Sequence, residues 1–96
     1  MTAVLEVKVG DIVYSKAGRD RGSYFVVIGV EEGYVSICDG KRRKTDKPKR
    51  KKIKHTALGM GFSEFVAGKL ENGEKVTNAA IRKELSRYNN SEEEGE

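Results

Sequence analysis

This chain of 96 residues contains one cysteine, one proline, one histidine and no tryptophan. Its only cysteine, Cys38, cannot form an intramolecular disulfide, which favours a reducing compartment. No apolar run approaches the length of a membrane span, and the first residues lack the basic start and uninterrupted apolar stretch of a signal peptide. We therefore expect a cytoplasmic, soluble protein that forms one small domain and is a monomer by default.

Residues suited to catalysis or metal binding are equally scarce. The lone histidine, His55, is expected to be a packed, hydrogen-bonded strand residue, and it has no second histidine for a metal site. Cys38 ends an apolar stretch and is expected to be a packed thiol. Asp11, Asp20 and Asp39 lie at glycine-containing turns, where short carboxylates bond their own backbone. We expect no enzyme activity, no cofactor, no metal and no small-molecule substrate.

Positive charge, by contrast, is concentrated in one segment. Residues 41–55 hold ten Lys and Arg residues and one acid, Asp46, so their net charge is +9. The whole chain is +4, and the rest of it therefore sums to −5. Such a basic segment predicts a polyanion as partner, because each cation that neutralises a phosphate releases a condensed counterion.

The first part of the chain has the pattern of a β protein. Short runs rich in Val, Ile and Tyr, separated by glycines, predict strands at residues 11–17, 23–30 and 34–39. The second strand is apolar on both faces, which predicts a central position in the sheet. Residues 31–33 predict a short hairpin connection between the second and third strands.

The basic segment is expected to be a long loop between two strands. Residues 41–52 contain Pro48 and no apolar side chain, and residues 52–58 then predict a fourth strand. A loop fixed at both ends presents its charge in one place. Self-repulsion among its cations predicts that the loop is mobile when no partner is bound.

The last part of the chain changes to helical spacing. Residues 59–61 predict a hinge-like break, so that residues 1–58 form the β part and residues 59–90 a helical extension packed on it. Ser63 is a candidate N-cap and Asn72-Gly73 a candidate helix end, although a hairpin turning at Asn72-Gly73 is the alternative. Thr77 predicts the cap of a second helix, and residues 91–96 predict a disordered acidic tail. The second helix carries an apolar stripe, most simply packed on the domain: Ile81, Leu85 and Tyr88.

The segment 9–27 resembles the KOW motif, in which apolar and polar residues alternate around a turn with a fixed glycine. Gly22 matches that glycine, which permits a positive φ where the chain reverses, and Arg19 and Arg21 lie on the same turn. Together with residues 35–40, 53–55 and 73–83, the segment is similar to the archaeal and eukaryotic large-subunit ribosomal protein of the L-fourteen-e type. The similarity is closer to its small bacterial KOW-domain relatives.

This resemblance, which covers residues 7–88, implies an SH3-like β-barrel that binds RNA, usually ribosomal RNA. The chain departs from the family in its denser lysine content in the basic loop and in Ser23, where a basic residue is common. We therefore expect a mainly β fold, an SH3-like (KOW) barrel with a long basic loop and one or two short C-terminal helices. The loop, rather than the turn, is expected to dominate binding.

The candidate RNA-binding residues are all cations. Arginines of the loop are expected to grip phosphates with paired hydrogen bonds or to stack on unpaired bases, and lysines to act as point charges. Tyr24 and Tyr34 are expected to be core or edge residues, so base-specific stacking is not predicted. The predicted RNA-binding residues are Arg19, Arg21, Lys41, Arg42, Arg43, Lys44, Lys49, Arg50, Lys51, Lys52 and Lys54.

Two alternatives remain open. The chain could be a protein-interaction module that docks on the ribosome or on RNA polymerase through the stripe of Ile81, Leu85 and Tyr88. Alternatively, residues 63–88 could form a DNA-binding helix pair. The connection from Asn72 to Thr77 is longer than the short turn of that motif, and the candidate recognition helix carries Glu84.

Overall fold

The structure is a computed structural model that describes the backbone of residues 7–93 and the side chains of residues 7–88. The described part is mainly β, as predicted: one five-stranded antiparallel sheet in the order β4-β3-β2-β1-β5, followed by two helices. The elements are β1 (Asp11–Ser15), β2 (Tyr24–Glu31), β3 (Tyr34–Cys38), β4 (Lys49–Lys52), a 3₁₀ turn (Ile53–His55), β5 (Thr56–Phe62), α1 (Glu64–Glu71) and α2 (Asn78–Glu93).

The central strand is β2, as its two apolar faces predict. Val26 on one face packs with Ile12 of β1 and with residues of both helices, including Val66 and Ile81. Phe25 and Val27 on the other face pack in a second cluster with Val13 of β1 and with two residues of β3, Val35 and Ile37. Each face of the sheet therefore buries its own core, and the helices cover only the first face.

The sequence predicted a loop over residues 41–52, but residues 49–52 form strand β4 instead. This strand pairs with β3 in the register Val35↔Lys51 and Ser36↔Arg50. The predicted fourth strand at 52–58 is also wrong at its start, because the 3₁₀ turn intervenes before β5. Strand β4 was not predicted because the residue on its inward face, Lys51, is a lysine rather than an apolar residue. The segment therefore lacks the alternation of apolar and polar residues that indicates a strand.

The predicted break at residues 59–61 is part of β5. The strand continues through these residues to pair with β1, with Ile12 opposite Gly61, and a register shift accommodates the irregularity. Gly61 is needed there, because a Cβ would overlap the hydroxyl of Tyr88 and lie 2.9 Å from its ring carbon Cζ. The glycine thus permits α2 to approach the sheet edge rather than breaking the strand.

Both predicted helices are present with their predicted caps. The Ser63 hydroxyl accepts the Val66 N–H at 3.1 Å, and the Thr77 hydroxyl accepts the Ala80 N–H at 3.1 Å. Helix α1 ends at the C-cap Asn72, and Gly73 has φ +77°, so the hairpin alternative at this point is wrong.

Helix α2 lies against the sheet with its apolar stripe inward. Ile81 and Leu85 are buried in the core and Tyr88 packs against it. Neither Ile81 nor Leu85 is therefore exposed for docking on a partner protein or for a DNA-binding helix pair, while Phe65 of α1 is exposed. Helix α2 includes residues 91–93 of the predicted acidic tail, whose last three residues lie outside the described residues.

No helix in the described part of the chain combines the length and the apolar character needed to span a membrane.

Candidate nucleic-acid interface

The turn between β1 and β2 has the geometry expected of the KOW-like glycine. Gly22 has φ +92°, and its N–H donates to the Ser15 carbonyl at 2.9 Å, which closes the turn. Arg19 and Arg21 are exposed on this turn, whereas Asp20 between them is only 2 % exposed. The turn therefore presents two cations to solvent and directs one carboxylate inward.

The start of the basic loop is held by a second turn, which Asp39 closes. Asp39 Oδ1 accepts the backbone N–H groups of Lys41 at 2.9 Å and Arg43 at 3.0 Å. This is the local bonding that the sequence predicted for Asp39. Since these bonds use the backbone only, the side chains of Lys41 and Arg42 remain exposed.

Helix α2 anchors the same loop from the other side. Arg82 Nη1 donates to the Gly40 carbonyl at 2.7 Å, and the Thr45 N–H donates to Asn78 Oδ1 at 2.8 Å. Gly40 has φ +79°, and a Cβ there would lie 2.5 Å from the Asn78 carbonyl oxygen. These contacts fix residues 40–45 to the helix. The expected mobility of the loop without RNA stays a prediction, and the contacts argue against it for these residues.

One ion pair joins the loop to the β1–β2 turn. Arg43 Nη2 donates to Asp20 Oδ2 at 3.3 Å, with the carboxylate buried and the arginine side chain 32 % exposed. Asp20 thus bonds a distant side chain rather than its own turn, contrary to the prediction from its position. The pair brings together the two basic segments that were predicted to form one surface.

Strand β4 divides its basic residues between structural and exposed positions. Lys51 is only 7 % exposed, and its Nζ donates to the Ala17 carbonyl at 2.7 Å, at the end of β1. Arg50 pairs with Glu31 at 3.0 Å and lies over the ring of Tyr34, with its Cζ 3.7 Å from the ring centroid. Lys52 is exposed beside them. Tyr34, predicted to be a core or edge residue, is half-buried on β3, which lies between β2 and β4.

The eleven predicted RNA-binding residues therefore fall into two groups. Arg43 and Lys51 have structural roles, and Arg50 is partly neutralised by Glu31. The other eight make no ion pair with residues 7–88: Arg19, Arg21, Lys41, Arg42, Lys44, Lys49, Lys52 and Lys54. We call these eight the unpaired cations. Lys47, which was left out of the prediction although it lies in the segment, is also exposed and unpaired within residues 7–88.

A cleft of about 370 Å³ lies between the β1–β2 turn, the start of the basic loop and α2. Arg82 on its helical wall was missed by the sequence analysis, because only the folded chain brings α2 to the loop. Tyr24 also lines the cleft, with its ring centroid 5.0 Å from that of Tyr14 and 5.4 Å from that of Tyr88. The lining residues are Asp20, Ser23, Tyr24, Phe25, Asp39, Lys41, Arg42, Arg82, Leu85 and Ser86.

Two of the residues considered for catalysis, Cys38 and His55, are not part of this site. Burial, with a smaller effect of the Asp39 charge, raises the pKa of the Cys38 thiol to about 12, so the thiol is protonated at neutral pH. His55 lies in the 3₁₀ turn rather than on a strand. Its carbonyl accepts the Lys16 N–H at 2.9 Å, but its side chain makes no hydrogen bond with the described residues, contrary to the prediction. Neither side chain lines the cleft.

No protein-family model matches the chain, and no curated protein matches it. The resemblance to KOW-domain proteins therefore stays a prediction from the residues quoted above.

Proposed function

We propose that this chain is a non-catalytic RNA-binding protein that contacts the phosphates of structured RNA, ribosomal RNA first among the candidates. The observation that carries the proposal is the Arg43–Asp20 ion pair, which holds the basic loop against the β1–β2 turn. Lys41 and Arg42 of the loop line the cleft together with Asp20 of the turn, and the exposed Arg19 and Arg21 adjoin Asp20 in the sequence.

The distribution of charge suits a folded polyanion. The loop and the turn each supply exposed cations, and β4 with the 3₁₀ turn adds Lys52 and Lys54 along the sheet edge. Structured RNA is recognised largely by its shape and the positions of its phosphates, which cations fixed on a rigid scaffold can match. Arg43 and Lys51 contribute by holding that scaffold rather than by touching RNA.

We also propose that the sheet is an SH3-like barrel of the KOW type. In support, the chain passes from β4 at one edge of the sheet to β5 at the other through a single 3₁₀ turn. The Lys51 ammonium on β4 bonds the carbonyl of Ala17, two residues after the end of β1. This contact links β4 to a strand three positions away in the sheet order, which supports the strong curvature that the proposed barrel requires.

The test compares two variants that each remove two lysines and one arginine. The loop variant carries Lys41→Gln, Arg42→Gln and Lys44→Gln. The control variant carries Lys75→Gln, Lys83→Gln and Arg87→Gln, at exposed positions that do not line the cleft. Their equal net charge separates a defined contact surface from a general charge effect.

Binding to fragments of large-subunit ribosomal RNA is measured by fluorescence anisotropy across a salt series, with duplex DNA as competitor. If about five phosphate contacts form, log K falls with log salt at a slope of about −4 to −5. The loop variant is expected to bind at least tenfold more weakly with a slope shallower by about 2 to 3, since each lost contact removes about 0.7–0.9. Equal binding by the two variants would overturn the proposal.

A further inference from the structure

The cleft separates its positive and negative groups by depth. Lys41, Arg42 and Arg82 are exposed at its rim, whereas Asp20 is buried and Asp39 half-buried. A phosphate is attracted to the rim and repelled by the two carboxylates within. A ligand that fits this arrangement places its negative charge at the rim, near the cations, and its hydrogen-bond donors deeper in the cleft, near the carboxylates.

Each of the two acids has one carboxylate oxygen to spare. Asp20 Oδ2 accepts from Arg43, and Asp39 Oδ1 accepts from two backbone N–H groups. The second oxygens, Asp20 Oδ1 and Asp39 Oδ2, accept no hydrogen bond from the residues that the structure describes in full. An ionised carboxylate only accepts hydrogen bonds, so each of these two oxygens can accept one from an N–H group of a ligand.

The remaining walls suit a flat, partly apolar group. The Tyr24 ring is fixed between Tyr14 and Tyr88 and provides a rigid aromatic wall. The volume of about 370 Å³ lies at the lower end of the range of about 300–1,000 Å³ that small-ligand sites occupy. A single nucleobase fits this size, and unpaired bases in RNA loops and bulges are commonly turned out into such sites.

We propose that the cleft binds one unpaired guanine of the RNA, with the neighbouring phosphates on Lys41, Arg42 and Arg82. Guanine presents two adjacent donors, N1–H and the N2 amino group, to the two spare oxygens, whereas uracil presents one N–H between two carbonyls that carboxylates repel. This inference rests on the proposed RNA binding and adds base selectivity to it, which the sequence analysis did not predict.

The test uses the full chain and four RNA hairpins that differ only in one bulged nucleotide: G, A, C or U. Asp39→Asn keeps an amide oxygen for the two backbone bonds and replaces the spare oxygen with an N–H₂ donor. Ser86→Tyr adds a large side chain to the α2 wall of the cleft and leaves both acids in the sequence, so it serves if Asp39→Asn folds poorly. Glu32→Gln, on the exposed β2–β3 turn, matches the charge change of Asp39→Asn.

Affinity is measured by fluorescence anisotropy at 0.15 M salt, with thermal melts to confirm folding. The native chain and Glu32→Gln are expected to bind bulged G about tenfold or more tighter than bulged U, the size of one good base contact. Asp39→Asn and Ser86→Tyr are expected to reduce that ratio below about threefold, with affinity for bulged U changed less than about twofold, because the rim cations remain.

Four results would overturn the inference in distinguishable ways. Equal, salt-dependent binding of all four hairpins would remove the guanine site and leave the proposed RNA binding intact. A guanine preference that survives both cleft variants would assign it to another surface. Absence of binding to any hairpin would overturn both proposals. Free guanosine 5′-monophosphate is expected to compete at least 100-fold more weakly than the bulged hairpin; equal potency would assign the cleft to a free nucleotide instead.

Discussion

Arg43 and Asp20 form an ion pair across 23 positions of sequence, with Nη2 3.3 Å from Oδ2 and the carboxylate almost completely buried. One end of the pair belongs to the basic loop and the other to the turn that resembles the KOW motif. The pair therefore converts two separate basic segments into one surface. Arg43 was predicted to contact phosphate, but it instead holds the neighbouring loop residues in place.

The first prediction concerns this pair. Asp20→Asn keeps the shape of the side chain and removes its charge, so we expect a loss of about 1–3 kcal/mol in the free energy of unfolding. The range is lower than for a fully buried pair because Arg43 is partly exposed. Urea unfolding of Asp20→Asn, Arg43→Met and the double variant measures the coupling energy. Additive effects of the two substitutions would show that the pair does not join the loop to the turn.

The second prediction separates two neighbouring lysines of β4. Lys51→Ala removes a buried stem and the ammonium that bonds the Ala17 carbonyl, and we expect it to cost about 1–3 kcal/mol of unfolding free energy. Lys52→Ala, on the exposed side of the same strand, is expected to change it by less than about 0.5 kcal/mol. Urea unfolding curves compare the two, and similar losses would refute the structural role of Lys51.

The third prediction concerns the approach of α2 to β5. Gly61→Ala places a methyl group into the Tyr88 side chain, and the overpacking is expected to cost about 1–3 kcal/mol. Gly68→Ala is the matched control, since this glycine lies within α1 and an added Cβ meets nothing within 4 Å. It is expected to stabilise by up to about 1 kcal/mol, because alanine favours the helix. Thermal melts giving the same sign for both substitutions would contradict this packing.

The fourth prediction concerns the buried thiol. The pKa of Cys38 is raised to about 12, so at pH 8 we expect very slow alkylation by iodoacetamide in the native chain and rapid alkylation in urea. The stabilising effect of the protonated thiol is complete below the unfolded-state pKa of about 9 and is lost as pH rises toward 12. The native chain should therefore lose stability relative to Cys38→Ala over that interval. Rapid alkylation of the folded chain would show that the thiol is accessible.

The sequence predicted most of the fold because its local signals agree with the final packing. The two-sided apolar pattern of residues 24–28 identified the central strand, and Ser63 and Thr77 marked both helix starts. The prediction failed at β4, where an inward lysine is held by a carbonyl that is distant in sequence. It also failed at Gly61, whose role depends on the position of Tyr88.

The site was predictable in composition but not in arrangement. No local sequence pattern distinguishes Arg43, which forms an ion pair with Asp20, from Arg42, which is exposed. The reason is that Asp20 lies on a different turn, distant in sequence. Arg82 reaches the cleft only through the packing of α2, so no local pattern indicates it. Charge density thus identified the basic segment, and tertiary contacts divide its cations into those with structural roles and those that are exposed.

The most direct test of the account is co-sedimentation of the chain with large ribosomal subunits from the cells that produce it, across a salt series. The native chain is compared with the loop variant (Lys41→Gln, Arg42→Gln, Lys44→Gln) and the control variant (Lys75→Gln, Lys83→Gln, Arg87→Gln). We predict association that weakens steeply with salt and is lost in the loop variant but retained in the control variant. Association that survives both high salt and the loop substitutions would contradict it.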